Sequence, residues 1–449
     1  MVRPKPFAMA GVASVVVTAG ATALLVRGLA LEATHPGLAL LFVALFAVTT
    51  LLLAFSAMLA LIGIRPDATP AALPQGVVPM PAGRSAVIWL IAGEAPEPIA
   101  QRVAEFLSGL ERSGQSHDCD VFVLSDTKDP VAQVQEQAVF AELRGRINYR
   151  NRPDPMGRKP GNIQAWLSEH GARYDTFLLL DADSGFSAHM LARMRAQMAA
   201  NPRLGLLQAA IQLRPNATRF GQMQRLSARL SGPVITRGLA RICGTTGNYW
   251  GHNALIRTRA LAAIAPLPIL TGKPPFGGPI LSHDFVEAAY LRRAGWEVRL
   301  CPDASGSFED APASIAAHLR RDRRWAQGNL QHLRLIAEKG LHPVSRLHLA
   351  QGILAYLAAP IWLVMVVLVG TGAVRFTGAV LWPFAVILLL LVVPKLAGLA
   401  ARRRALARPA RRVVLLRAFG AELVCSTLFA PIAMLWRSGF VATTLAGRS

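Results

Sequence analysis

Two apolar patterns alternate along the chain. Long uncharged runs lie towards both ends, and short apolar runs followed by helically spaced segments fill the middle. Gly37–Ile64 carries no charge over 28 residues, and Leu349–Val374 carries none over 26. Each exceeds the roughly 20 apolar residues that a helix needs to cross a bilayer core. Phe376–Pro394 adds a further 19, and Phe7–Leu31 is broken only by Arg27, close enough to its end to snorkel. Leu423–Trp436 is shorter, 14 residues between Glu422 and Arg437. It reads as an interfacial helix, as a span with charges at its edges, or as the start of something longer.

The middle has a different rhythm. Arg65–Arg84 is proline-rich and aperiodic, as a linker out of a membrane is. SAVIWLI (85–91), DVFVL (120–124), TFLLL (176–180) and Gly205–Ala210 are short apolar runs typical of buried strands. Helical spacing follows the first three, over Pro98–Leu110, Val131–Leu143 and Met190–Ala200. This alternation predicts an α/β domain with a mostly parallel sheet covered on both faces. Such sheets bind ligands beyond the carboxyl ends of their strands. The expected organisation is two transmembrane helices in 1–65, one α/β domain in 66–345, and further transmembrane helices in 346–449.

Charge fixes the expected orientation. The net charge of +22 suggests nucleic acid at first sight. However, Arg402, Arg403, Arg404, Arg408, Arg411 and Arg412 follow directly on the fourth apolar run, and Arg3 and Lys5 precede the first. By the positive-inside rule, the amino terminus, the basic loop 400–412 and the whole middle domain are cytosolic. A basic start and an apolar run also fit a signal peptide. Cleavage near Ala33 would still leave the second span to deliver the domain to the cytosol. The four cysteines lack paired spacing, so no zinc site is expected.

Three constellations carry candidate chemistry. Asp126 follows the second strand run, and Asp181-Ala182-Asp183 follows the third. Two carboxylates on a loop after a strand reach one hard divalent cation, and Mg²⁺ commonly joins such carboxylates to substrate phosphates. Acidic loops of this kind are more often merely solvated. In Ser282-His283-Asp284-Phe285, Asp284 and Glu287 look like a capping box opening a helix over Phe285–Arg293. A carboxylate held so firmly also suits a general base. Arg320-Arg321-Asp322-Arg323-Arg324-Trp325 lies in an expected amphipathic helix over 314–338, with Ile315, Leu319, Ala326 and Leu330 along one stripe. Such a helix beside a span usually anchors to the membrane surface. Its guanidinium forks and indole also suit a diphosphate and a sugar. Lys159-Pro160-Gly161-Asn162 and Tyr249–Asn253 read equally well as ordinary loops, and His252 and His283 as no metal ligands.

The order of these pieces resembles the processive family 2 glycosyltransferases, whose catalytic domain is of the GT-A (Rossmann-like) type. LDADS (180–184), YWGHNALIR (249–257), LSHDFVEAA (281–289), RRAGWEV (292–298) and RRDRRWAQGNL (320–330) resemble most closely the glucans biosynthesis glucosyltransferase H family. That resemblance implies a glucosyltransferase that polymerises glucose from UDP-glucose into osmoregulated periplasmic glucan, with Mg²⁺ or Mn²⁺ as cofactor. It implies Asp284 as general base and Asp181 and Asp183 at the metal. It implies donor contacts from Asp126, Glu94, Lys159, Asn162, Asp181, Arg321 and Arg324, and Trp325 against the acceptor sugar. The implied partners are the donor, the growing glucan, the lipid bilayer of the inner membrane and a periplasmic glucan-biosynthesis protein, with no nucleic acid.

Three features depart from the family's pattern. Arg321 stands where a glutamine is usual. Ala92-Gly93-Glu94-Ala95 replaces an Asn-Glu-Asp, so only Glu94 carries over. The family's long amino-terminal extension and later spans have no counterpart, which reads as a short branch or as a truncated chain. The rival readings are a related polymerase of other linkage, a single-transfer enzyme acting on a lipid carrier, and an inactive membrane scaffold.

Overall fold

The computed structural model describes residues 6–65 and 83–447. Most of the proline-rich 65–84 segment lies outside these residues, as do Arg3 and Lys5. Among the described residues, five helices are long and apolar enough to cross a membrane. They are α1 (Pro6–Gly28), α2 (Pro36–Ile62), α11 (Pro343–Gly370), α12 (Leu381–Ala400) and α14 (Pro409–Leu445). The ambiguous Leu423–Trp436 stretch is the middle of α14, whose 37 residues extend well beyond it. The periodicity was hidden there because Arg417, Glu422 and Arg437 interrupt the apolar run. The α1–α2 and α11–α12 turns meet: Ala30 N–H donates to Arg375 O at 2.9 Å and Thr377 N–H to Gly28 O at 2.9 Å. Both turns therefore lie on one side of the bundle.

The middle of the chain folds around a seven-stranded sheet. Its strands are β1 (Ser85–Ile91), β2 (Cys119–Ser125), β3 (Asn148–Asn151), β4 (Thr176–Asp181), β6 (Leu204–Ala209), β8 (Ala254–Arg257) and β9 (Glu297–Cys301), in the order β3-β2-β1-β4-β8-β6-β9. Every neighbouring pair is parallel except those made by β8, which runs antiparallel to both β4 and β6. A small sheet of β5 (Ser184–Phe186), β10 (Ser307–Glu309) and β7 (Gln212–Leu213) sits beside it. The period of two along β1 explains the two-sided burial. Val87, Trp89 and Ile91 join one core with α3 (Pro96–Arg112) and α6 (Ala188–Ala200). Ala86, Ile88 and Leu90 join the other, with α5 (Arg158–His170), α8 (Thr258–Ala262) and α9 (His283–Arg293). Helix α4 (Pro130–Ala141) follows β2, with Asp129 capping it through a bond from Val131 N–H.

Two helices join the domain to the spans. Helix α7 (Arg219–Cys243) had no clear signal, because arginines and Pro233 interrupt its helical spacing. It crosses α2 and α12 backbone to backbone. A Cβ on Gly238 would lie 1.9 Å from Leu59 O, and one on Gly398 would lie 1.8 Å from Leu230 O. Only glycine permits this approach. Arg237 donates to Gly63 O at 2.9 Å and so satisfies a carbonyl at the end of α2. The second connector is the amphipathic α10 (Ile315–Gln331), which packs on α11 and α14 through Leu319, Ala326 and Leu330. The short α13 (Arg403–Leu406) links α12 to α14.

Candidate functional site

The parallel strands end in polar residues on one edge, and the candidate side chains gather there. At the end of β2, Asp126 is held by the fork of Arg152, Nε to Oδ1 at 2.8 Å and Nη2 to Oδ2 at 2.6 Å. Asn162 of α5 donates to the same Oδ1 at 2.8 Å. One turn earlier, Lys159 bonds to Asp181 at the end of β4. A positive φ at Gly157 and Arg158 swings this helix start towards the strand ends. Glu94 turns back on its own loop, where Oε2 accepts from Ala92 N–H at 2.6 Å. It takes no part in this group.

A second group surrounds Asp183. Gln208, fully buried near the end of β6, donates to His252 O at 2.9 Å and accepts from Trp250 N–H at 2.9 Å. It thereby fixes the 249–253 loop. His252 then reaches Ser184 Oγ through Nδ1 at 2.9 Å and Glu309 Oε2 through Nε2 at 3.3 Å. Glu309 accepts from Arg321 Nη2 at 2.5 Å, and Arg321 Nη1 stands 3.9 Å from Asp183 Oδ2. Arg102 bonds Ala182 O at 2.7 Å and also pairs with Asp310, bracing the Asp181–Asp183 turn from behind. Sequence reasoning missed Glu309, His252, Gln208 and Arg102. Glu309 sits on a three-residue strand with no periodicity, and His252 was dismissed for lack of metal-ligand spacing. Only the three-dimensional meeting of β10 with the strand ends makes them neighbours.

The electrostatics follow from this crowding. Burial opposes the Asp181 charge, but Lys159 and then His252 hold its carboxyl below the usual range. Burial, with Glu309 and Asp181 adding repulsion, pushes Asp183 up to about 6. Its side chain nevertheless keeps 41% of its surface open at the mouth of the cleft. Against the cost of burial, the hydrogen bond and charge of His252 and the Arg321 guanidinium pull Glu309 down to about 2. His252 rises above its ordinary value, because Asp181 and Glu309 outweigh the burial that disfavours its cation.

Asp284 is placed differently from the sequence expectation. Ser282 is the residue preceding α9, and His283 is its first helical residue, so Asp284 lies within the first turn and caps nothing. Glu287 does not reach back to Asp284's backbone either. It faces His283, with Oε1 3.2 Å from Nδ1. The capping-box pattern is therefore a chance spacing here, and the pair that forms is His283–Glu287. Gly251, with φ of +89°, brings the 249–253 loop against Asp284, and a Cβ there would lie 3.6 Å from Asp284 Oδ2. Burial raises the Asp284 pKa, His283 offsets part of this, and Glu287 adds to it. The 249–253 loop thus touches Asp284 through Gly251 and the group around Asp183 through His252, and the Lys159 charge acts on both Asp284 and Asp181.

Helix α10 borders that cleft. Its Arg321 guanidinium lies over the Trp325 ring, 4.3 Å from the centroid, and Trp325 is 46% exposed. Arg324 is exposed and makes no bond or ion pair among the described residues. Among those residues, no group of three or more His, Cys, Asp or Glu side chains stands ready to hold a metal ion. The donor set still fits one. Asp183 is an open carboxylate whose charge is repelled by its neighbours, and a divalent cation relieves that repulsion. Mg²⁺-type sites are commonly completed by waters and substrate phosphates rather than by protein.

Comparisons with known proteins agree with this picture. Residues 176–396 match the family model described as glycosyl transferase family group 2. Glucans biosynthesis glucosyltransferase H of Shewanella oneidensis is 39% identical over 399 residues, covering 81% of this chain and 54% of that protein. The protein of the same name from Shewanella sp. strain ANA-3 is 45% identical over 289 residues, covering 63% of this chain and 40% of its own. The chain thus spans about half the length of the curated relatives it matches. Among solved structures, a mannosyltransferase from Pyrobaculum calidifontis in complex with GDP-mannose and Mn²⁺ shares the fold. Its TM-score is 0.50 at 16% identity, covering 87% of this chain and 97% of that one. Residues 176–396 thus carry a glycosyl transferase family group 2 domain, and the chain is similar over most of its length to the glucans biosynthesis glucosyltransferase H proteins.

Proposed function

We propose that the protein is a processive, inverting glucosyltransferase that extends a β-glucan from UDP-glucose on the cytosolic side of the bacterial inner membrane. One observation carries the reading. The motif helix α10 forms a wall of the transfer cleft through Arg321 and Trp325 and packs with its opposite face on the spans α11 and α14. An acceptor stacked on Trp325 is thus bound next to a bundle through which a product could pass.

In this reading Asp126, Asn162 and Lys159 receive the nucleotide end of the donor, while Lys159 and Arg321 face its diphosphate. The acceptor hydroxyl loses its proton to the Asp284 carboxylate while its oxygen forms the new bond to the anomeric carbon. The bond from that carbon to the phosphate oxygen breaks, and UDP leaves with the electron pair. Asp183, with Asp181, would hold a divalent cation, Mg²⁺ or Mn²⁺, whose charge would offset that of the diphosphate. Lys159 and Arg321 stand fixed beforehand by Asp181 and Glu309, so little reorganisation is needed when the leaving-group charge develops.

The positive-inside distribution supports the cytosolic placement of the domain. The relatives' name supports glucan as product, and the periplasmic glucan-biosynthesis partner of this proposal rests on the sequence resemblance alone. The deciding experiment is purified protein in lipid with radiolabelled UDP-glucose and Mg²⁺ or Mn²⁺, followed by sizing of the products. Long glucans formed without short intermediates are expected; a single transferred glucose on lipid would replace this reading with the lipid-carrier one.

A further inference from the structure

Adjacent residues of α10 point about 100° apart around the helix, and here they meet different surroundings. Arg321 and Trp325 face the cleft, whereas Asp322 points into the membrane bundle and is 3% exposed. There Asp322 Oδ2 accepts from Arg437 Nε of α14 at 2.7 Å. Its Oδ1 accepts from Arg437 Nη2 at 3.3 Å and from the Tyr356 hydroxyl of α11 at 3.3 Å. The Arg437 guanidinium lies 5.8 Å from the centre of the Tyr356 ring. Leu319, Ala326, Leu330, Ile353, Phe440 and Val441 pack beside the group, with the Asp322 carboxylate buried and the Arg437 side chain 34% exposed. The opposite side of α10 is tied to the catalytic turn, for a Cβ on Gly328 would strike Ser282 Oγ at 2.3 Å.

A buried ion pair is a poor way to gain stability, since apolar residues of similar volume usually do as well or better. What a forked, charge-assisted pair adds is direction. An apolar face alone allows a helix to slip to a neighbouring set of grooves, but a guanidinium fork and a hydroxyl converging on one carboxylate allow only one register. We infer that Asp322, Arg437 and Tyr356 are positioning residues that lock α10 in one register on α11 and α14. This keeps the acceptor face of Trp325 aligned with the spans. The inference rests on the processive reading above. It assigns these residues to holding the growing chain, and leaves the donor end, built on Asp126, Lys159 and Asp181, untouched.

The test uses the full chain in lipid nanodiscs. Asp322→Asn should shorten the products and raise the acceptor KM about fivefold, a size usual for coupled contacting residues. The donor KM should stay unchanged. Arg437→Gln should behave alike, and Asp322→Arg combined with Arg437→Asp should recover product length at least in part. Spin labels at Arg320→Cys and Thr443→Cys, in a Cys425→Ser background, should show a broader α10–α14 distance distribution once Asp322 is neutralised. If Asp322→Asn does not accumulate, Tyr356→Phe removes one hydroxyl only and is read in the same way. Wild-type product lengths and an unbroadened distribution in either variant would overturn the lock. A wild-type protein that makes no polymer while the distribution still broadens on neutralisation would instead remove the processive reading and leave the lock standing.

Discussion

Arg321 is bound to Glu309 by a 2.5 Å hydrogen bond, and this contact links the motif helix to the small sheet beside the Asp181–Asp183 turn. It also accounts for an arginine where a glutamine is usual, since Glu309 gives the guanidinium a buried partner. Glu309 falls from an ordinary 4.5 to about 2 in this setting. A folded-state value below the unfolded one means stabilisation that is full above the unfolded value and lost as pH falls through the folded one. A depression of this size corresponds to about 3 kcal/mol. Glu309→Gln should therefore melt lower than the wild type at about pH 5.5 to 8, a range about one unit or more above that ordinary value. The difference should close between pH 4.5 and about 2, the two pKa values. A melting difference that ignores pH over that window would show that the charge of Glu309 is not what matters.

Asp183 offers a second pH-dependent test. With its pKa pushed up to about 6, protons and a divalent cation compete for the same oxygens in a range where other carboxylates are already ionised. Mn²⁺ affinity in the presence of UDP, followed by electron paramagnetic resonance, should fall about tenfold per pH unit below that value. Asp183→Asn should weaken binding and flatten the dependence. In wild-type protein, chelator should abolish glucose transfer, and full activity in EDTA would remove the metal from the mechanism.

The sequence was most informative where one physical signal dominated. The apolar runs of β1, β2, β4 and β6 mark the strands to within about a residue or two, because both sheet faces are buried and polar residues such as Asp120 and Gln208 fall only near strand ends. The edge strand β3 (NYRN) has one exposed and three half-buried residues, and so leaves no such trace. The antiparallel β8 has no expectation from the sequence; it directly follows Tyr249–Asn253, a stretch that reads as an ordinary loop although His252 and Asn253 are buried to serve Glu309 and Ser307. Asp181, Asp183 and Asp126 were legible from their place after strands. Arg152, Arg102 and Glu309, which hold them, come from distant segments and could be seen only once the chain was folded.

The orientation of the domain is open to a direct measurement. The positive-inside argument puts Arg84 in the cytosol. Its side chain is 55% exposed, and three of the four native cysteines are buried, so Arg84→Cys in a Cys425→Ser background offers one accessible thiol. A membrane-impermeant maleimide should label it only after spheroplasts are permeabilised. Labelling of intact spheroplasts would place the cleft on the outer side and make a cytosolic nucleotide-sugar donor untenable.

Asp284→Asn separates the chemistry of this residue from its structural contribution, because the two should change in opposite directions. Asp284 is half-buried, and its pKa is raised chiefly by that burial. A carboxyl whose folded pKa exceeds its unfolded one favours folding below the unfolded value, and that favour is lost as pH rises through the folded one. At neutral pH the ionised side chain thus costs stability, and asparagine removes the cost while keeping the shape. Asp284 is not the cap of α9, so no capping bond is lost. The attractions of the charge to His283, Lys159 and the helix amino terminus are given up with it, the last worth about 0.3–1 kcal/mol, but the raised pKa means that burial outweighs them. The melting temperature at pH 7.5 to 8 should accordingly stay level or rise. Transfer should behave otherwise, since an amide cannot take the acceptor's proton. Loss of a general base costs about 10²–10⁴-fold in turnover. UDP binding, followed by calorimetry, should remain as in the wild type. A variant that keeps more than roughly a tenth of wild-type turnover would end the assignment of Asp284 as the base, on those same magnitudes.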